Sequence, residues 1–173
     1  MVSQFYTVQR YAAYTQENLL TWSKLFKNLE EVHSTLACTT YLRNKKKLGL
    51  HAEVIPDFAE INRTLSQYND GWEVVAVDGI LESDTFLYLI SEKKFPVTPW
   101  IRPLANAYSY DDADMLHDML GHVPFLLDRR FTSFIHQLGR MVVDSDFNEE
   151  VTEMVNRVYW RTIEAGLVLE DGV

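Results

Sequence analysis

At 173 residues the chain suits one domain with a sizeable core, and 47% hydrophobic with 13% aromatic content excludes a disordered polymer. A formal charge of −9, with basic residues scattered apart from Lys45-Lys46-Lys47, argues against nucleic acid as a partner. One cysteine (Cys38, in an apolar run), no charged-then-apolar leader and no apolar run of membrane-spanning length predict a soluble cytoplasmic protein with a reduced core thiol and no membrane partner.

Leu19, Trp22, Leu25, Phe26, Leu29, Val32 and Leu36 recur at helical spacing. They predict one long helix or two abutting ones from about Thr15 to Leu42, with the lysine run as a solvated C-terminal cap. Phe58, Ile61, Leu65 and Tyr68 predict a second helix, started by Pro56-Asp57 and broken at Asn69-Asp70-Gly71. Trp72–Val77 reads as a strand closed by Asp78-Gly79, and a short helix follows from about Ser83. Pro96, Pro99 and Pro103 impose extended or turning backbone over Phe95–Asn106. Beyond a histidine-bearing helix, Arg130–Val143 and Asn148–Ala165 predict two more, the last ended by Gly166. Leu167-Val168-Leu169 reads as a strand entering a turn at Glu170-Asp171-Gly172. No partner strand follows, so the polypeptide is expected to continue past Val173 or to be a fragment. The fold expected is mainly α with a little β-structure, as a single domain over residues 1–173.

His117-Asp118-Met119-Leu120-Gly121-His122-Val123-Pro124 carries the most chemistry. Two close imidazoles with acids nearby and no second cysteine point to a metal with N/O ligands. On a continuous α-helix residues five apart lie about 140° from each other, so the rings could not converge. The expected solution is a helix opened by Asp111-Asp112-Ala113-Asp114 and stopped by Gly121 as its C′ glycine, with His122 folding back beyond the end. Asp114, on the same face as His117, could then accept the second imidazole N–H and fix its tautomer. A pair of histidines placed at a helix C-terminus by the dipole alone fits the spacing equally well.

In the last helix Val151, Met154, Val155, Val158, Tyr159 and Ile163 form one apolar stripe, which puts Trp160 and Glu164 on the opposite side. A glutamate there is by default a solvated charge. A tryptophan one turn away argues that this face is covered, as in a cleft wall.

These two segments together carry a resemblance. Asp114…His117-Asp118-Met119-Leu120-Gly121-His122-Val123-Pro124, followed by Tyr159-Trp160-Arg161-Thr162-Ile163-Glu164-Ala165-Gly166, is similar to the paired motifs of the pterin-dependent aromatic amino acid hydroxylases. Ile55-Pro56, Gly79-Ile80-Leu81 with Phe86, and Thr98-x-Trp100-Ile101-Arg102 add to the match, which runs from about Tyr14 to the end. The resemblance implies that His117, His122 and Glu164 form the 2-His-1-carboxylate face of a non-haem Fe(II) monooxygenase. It implies tetrahydrobiopterin, or a related tetrahydropterin, as the two-electron donor and O₂ as co-substrate. The substrate implied is a small aromatic amino acid, phenylalanine first, hydroxylated on its ring.

The same resemblance gives Gly79, Ile80, Leu81, Glu82, Phe86 and Asp118 to the pterin, by backbone hydrogen bonds and stacking. Arg102 would hold the amino acid carboxylate, Trp160 would shape the substrate pocket and Tyr159 would stand behind the ligands. Without it, Gly79 is an ordinary turn, Phe86 a core aromatic and Arg102 a loop cation. The chain departs from the family pattern at Asp118 (commonly glutamate), Pro96 (commonly histidine), Tyr108–Ala113 and Ala165 (commonly phenylalanine). It also lacks the family's C-terminal portion, which predicts a monomer. Two other classes fit the ligand set: a zinc hydrolase with Asp118 as base, and a catalytically silent helical module clipped by a structural metal.

Overall fold

The computed structural model describes residues 5–68, 71–106 and 113–170, and within them the first amphipathic segment is two abutting helices. Helix α1 (Gln16–Leu36) starts at a capping box between Thr15 and Asn18, and the backbone turns extended at Ala37 and Cys38 before α2 (Thr39–Lys47). Cys38 is therefore a half-buried cap residue and not a core thiol. The lysine run is also not uniformly solvated. Lys46 and Lys47 are exposed, but Lys45 is buried, its ammonium 4.3 Å above the Phe26 ring and paired with Glu30 of α1. Its stem fills the α1–α2 seam while the charge meets an acid and an aromatic face.

Helix α3 (Phe58–Tyr68) buries Phe58, Ile61 and Leu65. The proposed breaker lies partly outside the described residues, at Asn69-Asp70. Strand β1 (Glu73–Ala76) pairs in parallel with β2 (Lys94–Val97), in register from Glu73 with Lys94 to Ala76 with Val97. A parallel pair needs a crossover, and α4 (Ser83–Ser91) supplies it. The N-terminal segment covers the other edge of β1 through the Tyr6–Val77 bridge and a Thr7 N–H to Ala76 carbonyl bond of 3.0 Å. Proline content hides β2 in the sequence, yet Pro96 fits. The carbonyls of Lys93 and Val97 accept from Glu73 and Val77 at 3.1 Å, so the alternate residue Pro96 turns its missing N–H away from the ladder.

Helix α5 (Arg129–Asp144) packs closely on α4. A Cβ on Gly139 would stand 2.6 Å from the Leu87 carbonyl oxygen and the Ser91 nitrogen, so only glycine permits this approach. Asp128 caps α5, accepting the Arg130 and Phe131 N–H groups at 2.8 and 3.4 Å. Partial burial raises its pKa, but those bonds and the Arg130 side chain outweigh it and hold the carboxyl below its ordinary value. A depressed carboxylate stabilises above its unfolded pKa and ceases to do so as pH falls through the folded value. Asp128→Ala should therefore cost about 1 kcal/mol in neutral urea melts, and the difference should close as pH drops from about 4.

Helix α6 (Glu149–Tyr159) buries only Val155 and Tyr159, against α4 and α5; Met154 and Val158 of the expected stripe are exposed. Leu167, Val168 and Leu169 form no strand and are exposed. The turn expected after them lies outside the described residues beyond Glu170, whose carboxylate accepts the Thr39 N–H and hydroxyl at 2.8 Å. The core beneath the histidine segment is apolar, with Met115, Met119, Val123, Leu126 and Ile135 fully buried. No described helix is long and apolar enough to cross a membrane.

Candidate metal and cofactor site

The segment carrying both histidines does not stop at Gly121. After one α-helical turn it widens to a π-helix over His117–His122 and then tightens to a 3₁₀ turn over Val123–Leu127, with Pro124 inside it. The π pattern bonds residues five apart, seen in the Val123 N–H reaching the Asp118 carbonyl. Residues five apart then lie roughly one turn above one another, so the separation that cannot converge on an α-helix converges here. The rings of His117 and His122 sit 4.8 Å apart between centroids. The last helix does the same: Trp160–Glu164 is π-helical, with Ala165 N–H bonded to the Trp160 carbonyl at 3.0 Å.

The two π segments meet. Glu164 Oε1 lies 3.4 Å from His122 Nε2, and its Oε2 lies 3.7 Å from His117 Nε2. One donor atom from each of the three residues lies within 4.8 Å of the others, a spacing that a single cation can bridge. Their protonation fits a cation. Burial pushes the His122 pKa down, favouring the neutral ring that binds metal. His117 is drawn up to about 10 by its hydrogen bond to Asp118 and then by Glu164, so a proton holds the place that a cation could take. Burial raises the Glu164 carboxyl but the two histidines outweigh it, leaving it below its ordinary value.

Asp114 does not fix the His117 tautomer. It is fully buried, caps the helix by accepting the His117 backbone N–H at 3.3 Å, and is gripped by Arg102 through Nε and Nη2 at 2.9 Å each. Asp118 does that work instead: its Oδ1 lies 2.9 Å from His117 Nδ1, and its Oδ2 accepts the Thr98 N–H at 2.8 Å. With both oxygens engaged, Asp118 is poorly placed as the free base that a hydrolytic zinc site would need.

The triad opens into a cavity of about 510 Å³. Gly79, Ile80, Leu81, Phe86, Arg102, Asp118, Tyr159 and Trp160 all line it, so the structure gathers residues spread over about half of the chain. Glu82 does not; it is exposed at the cap of α4, where its carbonyl accepts the Phe86 N–H at 2.9 Å. Gly79 has φ +82 with open space where a Cβ would stand, a backbone approachable by a flat ligand. Phe86 stands edge-on to Phe95 and Tyr159, and burial drives the Tyr159 hydroxyl well above its ordinary pKa. Trp160 is not covered: it is 65% exposed, on the cavity rim. Tyr108–Asp112 lie outside the described residues, and Ala113 lines the cavity. Sequence reasoning missed Ser83 and Asn156, which no quoted motif contains, and gave no role to Thr98, which it quoted only as part of the Thr98-x-Trp100-Ile101-Arg102 match; the tertiary fold places all three at the cavity.

Known proteins are similar to this chain in sequence and in fold. Residues 7–173 match the family described as biopterin-dependent aromatic amino acid hydroxylase. A phenylalanine-4-hydroxylase of Mesorhizobium japonicum is 34% identical over 167 residues, covering 96% of this chain and 60% of that protein. Tyrosine 3-monooxygenase of Rattus norvegicus is 30% identical over 163 residues, covering 92% of this chain and 32% of that protein. The crystal structure of Chromobacterium violaceum phenylalanine hydroxylase with bound iron(III) and 7,8-dihydrobiopterin superposes with a TM-score of 0.85 at 30% identity, covering 91% of this chain and 57% of that one. The chain thus spans about half to three-fifths of the bacterial relatives it matches. With paired π-helical motifs, a converged two-histidine, one-glutamate cluster and the family match along nearly its whole length, the chain belongs to the biopterin-dependent aromatic amino acid hydroxylases.

Proposed function

We propose that this chain hydroxylates the ring of an aromatic amino acid, phenylalanine first among them, using Fe(II), a tetrahydropterin and O₂. The observation that carries the reading is the convergence of His117, His122 and Glu164 at the wall of the cavity lined by Gly79–Leu81, Phe86 and Arg102. Bound iron and tetrahydropterin together supply the O₂ activation that puts one oxygen atom on the ring.

The chain's own residues prepare that chemistry. Asp118 holds the Nδ1 side of His117 and leaves Nε2 for the metal. Phe86 and the Gly79–Leu81 backbone offer the pterin an aromatic face and an open main chain. Arg102, its guanidinium fixed by two bonds to Asp114, stands on the same wall as a rigid donor for a carboxylate. Trp160 at the rim would close over the aromatic substrate and exclude water.

The test is anaerobic reconstitution with Fe(II), followed by admission of air with tetrahydrobiopterin and phenylalanine, tyrosine or tryptophan in turn. Pterin oxidation coupled to a hydroxylated amino acid, absent from His117→Ala, is the expected result and names the substrate. Iron uptake with the pterin untouched under all three amino acids overturns the reading and favours a metal-clipped helical module.

A further inference from the structure

The loop from Thr98 to Arg102 carries two groups on which the site depends. The Thr98 N–H holds Asp118 Oδ2 at 2.8 Å, and Arg102 stands on the cavity wall. Its Arg102 end is fastened to the histidine segment: the Trp100 carbonyl accepts the Met115 N–H at 3.0 Å, and the Arg102 N–H reaches Asp114 Oδ2 at 3.0 Å. Its Thr98 end has a second anchor from elsewhere. Pro99 has no N–H, so its carbonyl is the one backbone group it can offer. That oxygen accepts the Tyr14 hydroxyl at 2.6 Å, from 85 positions away in the chain. The direction of the bond is fixed from behind. The Phe58 N–H donates to Gln9 Oε1 at 2.8 Å, which orients the carboxamide, and Gln9 Nε2 then donates to Tyr14 Oη at 3.1 Å and to the Pro56 carbonyl at 2.8 Å. With its oxygen accepting from Gln9, Tyr14 gives its one proton to Pro99. Burial raises the Tyr14 pKa by more than the Gln9 bond lowers it, so the hydroxyl stays a donor at neutral pH. Gln9, Tyr14 and Pro99 do not line the cavity; the relay ends one residue short of it, at Thr98.

We infer that Tyr14 is a positioning residue for the metal site: its hydroxyl fixes the Pro99 carbonyl, which keeps the Thr98 N–H on Asp118 and so the Asp118 carboxylate on His117. The link between the first two steps is stiff. Proline fixes its own φ and restricts the residue before it to extended backbone, so an anchored Pro99 carbonyl also sets the aim of the Thr98 N–H. The last step is direct, because Asp118 Oδ1 lies 2.9 Å from His117 Nδ1. Without the hydroxyl the loop can drift, and Asp118 then holds the imidazole less firmly. The inference rests on the metal reading above and adds to it the group that keeps the supporting carboxylate in place.

The test is cobalt(II) titration of the full chain, followed by its visible absorption. Tyr14→Phe removes only the hydroxyl and keeps the ring edge-on to Tyr11, 5.7 Å between centroids. It should weaken cobalt binding by about 3- to 10-fold, as loss of one hydrogen bond implies, and alter the visible bands. Tyr11→Phe is the matched control. Its hydroxyl donates to the Ile55 carbonyl at 2.9 Å from the same segment, and Ile55 lies away from the cavity, so affinity and spectrum should stay native. A thermal melt of each variant checks the fold. Should Tyr14→Phe not fold, Gln9→Glu takes its place: it keeps an acceptor for the Phe58 N–H but sets another against Tyr14, drawing the proton away from Pro99. Native affinity and spectrum in the variant that folds, or an equal change in Tyr11→Phe, overturns the positioning role while leaving the metal reading intact. If the native chain binds cobalt no better than His117→Ala, the metal reading itself fails and the role of Tyr14 fails with it.

Discussion

Glu164→Ala should lower Fe(II) affinity by more than about 100-fold, beyond the 10- to 100-fold that loss of an outer partner of a metal site costs. The glutamate is the only anionic member of the cluster, and its two oxygens reach toward both imidazoles, at 3.4 and 3.7 Å. Without it two neutral rings remain, and the Fe(II) loses the one anionic oxygen ligand of the set. Calorimetric titration measures the loss directly. A second readout is independent of turnover: a metal that binds the folded state at 100 times its Kd stabilises it by about 2.7 kcal/mol, a gain that the variant should not show. Glu164→Gln keeps the shape and removes the charge, so it should follow the alanine variant. An unaltered affinity in both would mean that the cluster is not the iron site.

The helices were legible because their apolar positions repeat at one period and their ends carry local signals. Thr15 and Asn18, Asp128, and Asn148 all cap where a polar residue precedes an apolar repeat. Strand β2 was not, because a proline in a strand reads as a break until the fold shows which way its nitrogen faces. The family motifs singled out His117, His122 and Glu164 as candidate ligands, and the structure brings the three together. Their convergence was not legible, since period-based reasoning assumes an α-helix, and the five-residue spacing of His117 and His122 makes sense only on a π-helix. The same spacing recurs between Tyr159 and Glu164, where Tyr159 is the last α-helical residue. Asp114 rather than Asp118 was expected to hold the His117 ring for a related reason. Three-residue spacing made Asp114 the natural partner of the ring, but Arg102, twelve positions earlier, claims it from a different part of the fold.

That exchange sets up the second large effect. Asp118→Asn should weaken metal binding by about 10- to 100-fold with the helices intact. The carboxylate now satisfies two donors at once, the His117 ring at 2.9 Å and the Thr98 N–H at 2.8 Å. An asparagine offers one acceptor oxygen and one donor amide, so it can serve only one of them. If its oxygen keeps the buried Thr98 N–H, its amide faces His117 Nδ1 and favours the tautomer whose Nε2 bears the proton, the wrong one for a ligand. If it turns over, the Thr98 N–H is left unpaired, at a cost of about 1–3 kcal/mol in stability. Asp118→Glu keeps both acceptors but carries them one methylene further, and should fall between the native chain and the amide variant. Cobalt(II) titration followed in the visible spectrum reports both affinity and ligand geometry. Native affinity with an unshifted spectrum in Asp118→Asn would show that the π-helical backbone alone orients His117. A loss restored in part by glutamate would show that the neighbouring carboxylate selects the tautomer on which the metal site depends.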